Sequence, residues 1–257
     1  MHTNYHTHTK RCHHAFGEDE EYVLAAINAG FDVLGFSDHA PYYYQNGYVS
    51  YYKMTPEEAP EYTKSILALR EKYRDRIEIH MGLEAEYYPE IFEKSLELWR
   101  RLGAEYLVLG QHYVYKETTT REDAAAIPSA AEKLVRYTDR CIAAMQTEKF
   151  SYIAHPDMLN YTEGDDAFYE HEVRRLIECA NKYEMPLEIN LLGLYEGRNY
   201  PNPKFWKIAA TMNPRVIIGT DAHTPDTFER VGVRQKAVKM ANDFGLKLIE
   251  KIEFKTI

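Results

Sequence analysis

The feature that most constrains the fold of this sequence is a repeated alternation along the chain. Short apolar runs rich in β-branched or aromatic residues alternate with longer segments of helical periodicity, which is typical of βα units around a parallel sheet. We count seven units. The predicted strands are 3–8, 32–37, 77–84, 105–111, 151–155, 186–190 and 215–220. The predicted helices lie near 18–29, 56–73, 89–102, 128–146, 167–183, 203–211 and 226–243.

Length and composition indicate one domain. The chain has 257 residues, of which 45% are hydrophobic and 28% charged, so a single α/β barrel would use all of residues 1–257. No linker rich in Gly, Ser or Pro divides it. The segment from Pro41 to Tyr52 holds six tyrosines and is predicted to be a long loop after the second strand. This loop is expected to form a lid over an aromatic substrate, an interface or simply a packed loop.

The charge of the chain restricts its partners. A net charge of -9 argues against nucleic acid or an anionic membrane as the partner, because both attract positive charge first. We therefore expect a small soluble partner, and the oligomeric state stays open. There is no apolar run of about 18 residues and no signal-peptide pattern after Met1, which predicts a cytoplasmic protein. The three scattered cysteines, Cys12, Cys141 and Cys179, are expected to be reduced thiols.

Metal-capable side chains recur at the predicted strand ends. His6 and His8 end the first strand, and residues two apart in an extended segment project from one face, so both imidazoles can reach one ion. Each histidine alone could be an ordinary core residue, but that interpretation does not explain why so many share the rim where barrels place their active sites. The further candidate ligands are His14, His39, Glu84, His112, His155, Asp221 and His223.

Nine candidate ligands exceed what one ion needs, which implies two or three divalent metal ions sharing bridging carboxylates. Imidazole and carboxylate ligands suit zinc, iron or manganese. Paired metals are a recurring arrangement for the hydrolysis of phosphate esters. The sequence therefore predicts a metal-dependent phosphoesterase.

Six motifs, taken together and in order, resemble those of the PHP family, the polymerase and histidinol phosphatase superfamily. Cys12-His13-His14-Ala15 resembles the Cys-x-His motif of its histidinol-phosphatase branch, which makes His14, rather than His13, the expected ligand. The six motifs are His6-Thr7-His8-Thr9, Ser37-Asp38-His39-Ala40, Gly82-Leu83-Glu84, Gln111-His112, His155-Pro156-Asp157 and Gly219-Thr220-Asp221-Ala222-His223.

The resemblance implies a distorted (β/α)7 TIM-like barrel with three metals, and a phosphomonoesterase whose leading substrate is histidinol phosphate. It also implies that Asp221 orients the attacking hydroxide and that His39 or His223 protonates the leaving alkoxide. By position, the first metal would be held by His6, His8, Glu84 and Asp221, the second by Glu84, His112 and His155, and the third by His14, His39 and His223.

Two departures from the family pattern concern the substrate. Members acting on histidinol phosphate usually carry a basic residue shortly after His-Pro-Asp, where this chain has Asn160. Arg198 resembles the family's phosphate-binding arginine at a spacing longer than expected, and the alternative is a solvated surface charge. The alternatives are therefore a PHP enzyme for another small phosphate ester or a nucleotide, and a non-catalytic metal-binding domain. Retention of every expected ligand argues against the last.

Three further charged residues are candidates for contacts with the substrate. Glu86 is expected either to meet a cationic substrate group or to orient a metal-bound histidine. Lys10 and Arg11 would add positive potential for a phosphate, unless they simply face water. The remaining histidines are interpreted as ordinary surface or core residues, and they are His2, His13, His80 and His171.

Overall fold

A computed structural model describes residues 2–119, 124–125 and 130–257 of the chain. The first two residues of the predicted helix 128–146 lie outside these ranges. The strands are β1 (Thr3–Asn4), β2 (Val33–Phe36), β3 (Glu78–Met81), β4 (Leu83–Ala85), β5 (Leu107–Leu109), β6 (Tyr152–Ile153), β7 (Leu187–Asn190), β8 (Arg215–Gly219) and β9 (Lys247–Leu248). The helices are α1 (Asp19–Asn28), α2 (Ala59–Tyr73), α3 (Phe92–Leu102), α4 (Ala131–Gln146), α5 (Asp166–Lys182), α6 (Leu191–Glu196), α7 (Pro203–Ala210) and α8 (Val231–Phe244).

The strands form two parallel sheets that are joined into a ring. One sheet has the order β1-β2-β3 and the other runs from β4 to β9 in chain order. A bridge between His39 and Glu84 joins the sheets at one seam, and a bridge between Thr7 and Ala222 joins them at the other. The prediction of an α/β fold is confirmed, and the two seams close the strands into a distorted barrel. Within the described ranges, no helix is both long and apolar enough to cross a membrane.

The predicted strand 77–84 is wrong in one respect, because it is two strands in different sheets. β3 pairs with β2, and β4 pairs with β5. The change of partner falls at Gly82, where a Cβ atom would overlap the ring of Tyr106. The Tyr106 hydroxyl lies 2.9 Å from the Tyr5 carbonyl oxygen and 3.0 Å from that of Phe36, so its one proton lies between two acceptors of the first sheet.

Two short elements were missing from the sequence prediction. β9 pairs with the first residues of β8, and two residues are too few to give a periodic signal. α6 follows β7 directly, and the side chain of Asn190 caps it by accepting from the amide of Gly193 at 2.9 Å. Asn190 was the available signal for this helix start.

Candidate metal centre

The chain brings all nine predicted ligands together at the carboxyl ends of the strands. The seam between Thr7 and Ala222 explains part of this convergence, because the amide of His8 donates to the Ala222 carbonyl at 2.9 Å. This pairing holds the first strand beside the segment after β8. His6 and His8 therefore face Asp221 across the seam.

Glu84 lies at the centre of the cluster and is buried. Its Oε1 is 3.0 Å from His155 Nε2, 3.5 Å from His6 Nε2 and 3.6 Å from His112 Nε2. Its Oε2 is 3.0 Å from His39 Nδ1 and 3.6 Å from His8 Nε2. A Cβ atom at residue 110 would overlap this carboxylate, so glycine is required there. Five imidazoles thus surround one carboxylate, which is the arrangement expected of a ligand shared between ions.

Asp221 supplies a second carboxylate to the same group. Its Oδ1 is 3.1 Å from His8 Nε2, 3.4 Å from His6 Nε2 and 3.4 Å from His223 Nδ1. Its Oδ2 accepts from Asn190 Nδ2 at 3.0 Å. One oxygen therefore faces the imidazoles while an amide holds the other.

His14 and His223 approach each other through their Nε2 atoms, which are 3.0 Å apart. The Nδ1 atom of His14 lies 2.7 Å from the Cys12 carbonyl oxygen, and that of His223 lies 3.0 Å from the Asp221 carbonyl oxygen. A carbonyl oxygen only accepts, so each Nδ1 carries the proton. In the neutral ring each Nε2 then presents a lone pair to the other, a contact that a cation between them would stabilise.

The buried polar atoms fit a divalent metal. His6 Nε2 and His8 Nε2 are buried and have no hydrogen-bond partner among the described residues. Buried polar groups are normally satisfied, because an unmade bond costs about 1–3 kcal/mol each. Several sets of three side chains place their ligand atoms within 4.8 Å of one another, among them His6, His8 and Asp221. The donor set of imidazole and carboxylate supports a divalent metal.

Three polar residues behind the ligands were not recognised as candidates in the sequence. Glu188 Oε2 lies 2.9 Å from His6 Nδ1, and Asp38 Oδ1 lies 3.4 Å from His8 Nδ1. Asn190 Nδ2 donates to Glu188 at 2.7 Å. These contacts direct the opposite nitrogen of each imidazole toward the cluster. The available signal was the strand Leu-Glu-Ile-Asn of β7, where two polar residues share one face of a fully buried strand.

Several histidines of the cluster fall into two groups by the direction of their pKa shifts. Burial lowers the pKa of His39 and of His223 well below the usual value, and the charge of His8 lowers both further. Burial by itself would raise the pKa of Glu84 and of Asp221, but the surrounding imidazoles outweigh it and hold both well below their usual range. Nearby carboxylates outweigh burial and raise the pKa of three other rings, those of His6, His8 and His155. Neutral imidazole and ionised carboxylate are the forms that bind metals, so a metal bound there would displace protons from these three histidines.

A cavity of about 450 Å³ adjoins the cluster and is lined by several of the candidate ligands. Arg198 also lines it, which places this predicted phosphate contact beside the ligands. The Arg198 guanidinium donates to Glu196 and to the Tyr200 hydroxyl, both at 2.7 Å. One part of the cavity wall therefore carries a guanidinium group, which Glu196 and Tyr200 hold in place.

Lys10 and Arg11 are directed to carboxylates outside the cavity wall. Lys10 Nζ donates to Glu18 at 2.6 Å on the surface. The buried Arg11 guanidinium binds both oxygens of Asp19 at 2.9 Å and also Glu61. The expectation that these two residues add positive potential for a phosphate is not supported by their placement, because their charges are already paired.

Glu86 is buried and bonded to Lys53, whose Nζ lies 2.7 Å from its Oε1. The expectation that Glu86 meets a cationic substrate group is therefore not supported, because a cation of the chain occupies that place. The alternative role, orienting a ligand, is weakened by the 3.9 Å between Glu86 Oε1 and His112 Nδ1. Of the histidines interpreted as ordinary, His13 lines the cavity, and its Nε2 is 3.6 Å from Glu58.

The fold and the site define an α/β barrel whose strand ends carry a candidate divalent-metal centre. The chain belongs to the PHP domain family, whose model matches residues 4–191.

Relatives and solved structures agree with this assignment. A protein of Deinococcus radiodurans named "Probable histidinol-phosphatase" is 27% identical over 252 residues, with coverage of 93% of this chain and 92% of the relative. The histidinol-phosphatase of Bacillus subtilis is 24% identical, with coverage of 85% and 92%. The histidinol phosphate phosphatase of Lactococcus lactis, solved with zinc, L-histidinol and phosphate, has a TM-score of 0.73 at 18% identity, with coverage of 98% of both chains. This last likeness is one of fold.

Proposed function

We propose that this protein is a metal-dependent phosphomonoesterase that hydrolyses L-histidinol phosphate to L-histidinol and phosphate in the biosynthesis of histidine. The proposal rests on the convergence of nine side chains that can bind metals. Some of their buried nitrogen atoms have no hydrogen-bond partner among the described residues. The names of the relatives in Deinococcus and Bacillus support the choice of substrate. The departure at Asn160 favours the alternative, in which the substrate is another small phosphate ester or a nucleotide.

The cluster is proposed to hold two or three ions of zinc, iron or manganese. Glu84 is the proposed bridging ligand, since both of its oxygens face imidazoles. Metals held there would stabilise the phosphoryl oxygens as Lewis acids and supply a nucleophilic water at neutral pH. The proposed groups of ligands are His6, His8, Glu84 and Asp221, then Glu84, His112 and His155, then His14, His39 and His223.

The chain's own groups would orient the reaction. Asp221 is proposed to hold the attacking water through Oδ1, because Asn190 already fixes its Oδ2. The expectation that His39 or His223 protonates the leaving oxygen competes with their ligand role, because burial lowers the pKa of both rings well below the usual value and leaves them neutral. The Nδ1 proton of His223 is already bonded to the Asp221 carbonyl oxygen, so His39 is the better placed of the two as a proposed donor.

Arg198 lines the cavity, but its Nε and Nη2 atoms both contact Glu196 at 2.7 Å. It is proposed to bind the phosphate by exchanging this carboxylate for phosphate oxygens, to which a guanidinium offers two parallel donors. Arg198→Ala should lower kcat/KM by about 10- to 150-fold, the equivalent of a charge-assisted hydrogen bond. Arg198→Lys should restore this only in part. Metal content should not change in either variant. An unaffected kcat/KM would show that a group other than Arg198 binds the phosphate.

The proposed function is tested by kinetics on metal-loaded protein with L-histidinol phosphate, phenyl phosphate, sugar phosphates and a nucleoside monophosphate. L-histidinol phosphate should be preferred by more than the roughly 10- to 200-fold that one methylene group explains. Equal kcat/KM values for all of these esters would exclude L-histidinol phosphate as the specific substrate, but the protein would still be a phosphoesterase. Metal content measured on the same sample should reach two to three equivalents, and one equivalent or fewer after reconstitution would contradict the cluster.

A further inference from the structure

Lys53 is a buried lysine at the same end of the barrel, with a side chain that is 2% exposed. Its Nζ donates to Glu86 Oε1 at 2.7 Å, to Glu117 Oε2 at 2.6 Å and to the Tyr44 hydroxyl at 3.2 Å. An ammonium group has three donors, so all of them are used. Lysine is almost never fully buried unless it is paired, and this one lies between two carboxylates.

Tyrosine rings surround the same ammonium group. Cations are attracted to ring faces within about 6 Å of the centroid. The rings with their centroid distances from Nζ are Tyr52 at 4.5 Å, Tyr42 at 5.1 Å, Tyr88 at 5.7 Å, Tyr113 at 5.9 Å and Tyr44 at 6.0 Å. Three of these tyrosines come from the tyrosine-rich loop 41–52, and the other two come from the segments after β4 and β5.

The two carboxylates connect the loop to the barrel. Glu86, just after β4, accepts from the hydroxyls of Tyr52 at 2.7 Å and Tyr88 at 2.6 Å, and from the amide of Tyr113 at 3.2 Å. Glu117 accepts from the hydroxyl of Tyr44 at 2.6 Å. Because Lys53 bonds both carboxylates, one side chain joins the loop to two other segments of the chain.

The arrangement fixes one wall of the cavity beside the metal centre. We call Tyr51, Tyr52 and Tyr113, which line that cavity, the tyrosine wall. The hydroxyl of Tyr52 points to Glu86, while its ring lies 5.1 Å from the ring of His39 at an angle of 80°. The hydroxyls of Tyr51 and Tyr113 are 3.3 Å apart. The ring of Tyr52 is therefore placed against the candidate ligand His39, with the rings of Tyr51 and Tyr113 packed beside it.

We propose that Lys53 is a positioning residue that holds the tyrosine wall, and that this wall selects phosphate esters whose alcohol carries a flat ring. The inference rests on the proposed phosphoesterase function and adds the residues that would choose the substrate. Flat rings stack on aromatic faces and gain contact that a short alkyl group cannot make. A buried ion pair contributes little net stability compared with apolar residues of the same volume, so the value of Lys53 lies in fixing one arrangement of the loop.

The test compares Lys53→Met with wild type on two ester classes, using L-histidinol phosphate and phenyl phosphate against ethyl phosphate. For the ring-bearing esters kcat/KM should fall on the order of 10-fold, mostly through KM, since an ordered aromatic contact is lost. For ethyl phosphate the change should stay within about 3-fold, as expected without that contact. Lys116→Met is the matched control, because Lys116 is a surface lysine paired with Glu90 at 2.8 Å.

Two further variants keep the test decisive if Lys53→Met folds poorly. One ammonium and two carboxylates give the buried group a net charge of -1, and Lys53→Met combined with Glu117→Gln leaves one carboxylate and the same charge. Tyr51→Leu removes a ring of the wall at a residue that is 58% exposed. Both should lower the ratio of ring-bearing to alkyl kcat/KM without lowering metal content. An unchanged ratio in both would overturn the inference, whereas a metal-loaded wild type that hydrolyses none of the esters would overturn the proposed function instead.

Discussion

Glu84 and Glu86 are two residues apart at the end of one strand, yet their surroundings differ completely. Glu84 faces five imidazoles, and in the described part of the chain its carboxylate pairs with histidines rather than with a lysine or an arginine. Glu86 accepts from an ammonium, two tyrosine hydroxyls and a backbone amide. Both are buried, so each needs compensation for the loss of water.

The comparison teaches how a buried polar cluster indicates whether it needs a ligand. The Glu86 cluster contains its own cation, Lys53, and the donors of that cation are all used. In the Glu84 cluster, His6 Nε2 and His8 Nε2 are buried without a hydrogen-bond partner among the described residues, and the Nε2 atoms of His14 and His223 face each other. A buried charge persists when it is paired or bound to a metal. The first cluster is therefore complete as a structural element, and the second is completed by a divalent ion.

The largest expected effect is that of Glu84→Gln, because this substitution removes the proposed bridging ligand. Metal content should fall and kcat should drop by at least about 1,000-fold, since a bound metal contributes several kcal/mol to the transition state. Kinetics and metal analysis on one sample provide the check. His171→Ala should stay within about 3-fold as a surface substitution, because the His171 side chain is 69% exposed. Near-normal turnover in Glu84→Gln would place the centre elsewhere.

A smaller effect is expected for Glu188→Gln, which weakens the partner of His6 Nδ1 without removing a ligand. Loss of such a partner typically lowers metal affinity or activity by about 10- to 100-fold. Titration with zinc and activity measured at each metal concentration would report it. Glu170→Gln, which changes only an exposed pair with Arg174, is the control. Equal metal affinity in the two variants would show that Glu188 does not orient His6.

The smallest effect on activity is expected for Glu86→Gln, the counterpart of the Glu84 variant. Metal content should be retained, while the free energy of unfolding should fall by about 3 kcal/mol, because the ion pair of Lys53 with Glu86 is broken in a buried site. Denaturant unfolding measures this change. Glu90→Gln, at an exposed pair with Lys116, should cost about 1 kcal/mol or less. Loss of metal from Glu86→Gln would contradict the conclusion that only the Glu84 cluster binds metal.

The sequence predicted the architecture, and its candidate ligands lie together at one end of the barrel. Alternating apolar runs and helical segments predicted the α/β fold, and residues ending those runs proved to share one rim. The predicted ends of the strands were less accurate. The strand 77–84 changes partner at Gly82 because of Tyr106, which lies more than 20 positions away along the chain. Such a contact leaves no trace in local periodicity.

The partners of the ligands were beyond the reach of local pattern. Glu188 and Asp38 reach His6 and His8 only because different strands converge at the barrel end. Arg11 shows the reverse case, since it stands beside the ligands in sequence but its guanidinium binds Asp19 and Glu61. Neighbours in sequence separate when a short turn directs their side chains to different surfaces.

The sequence by itself determined which residue types end each strand, and therefore which chemistry the rim of the barrel can carry. That follows from local rules, because strand periodicity and the order of βα units are encoded within a few residues of each element. Only the tertiary structure decided that Glu84 faces imidazoles while Glu86 faces an ammonium group. Lys53 reaches Glu86 through the folded loop, across 33 positions of chain, and the balance of charge around a buried group depends on every segment that surrounds it.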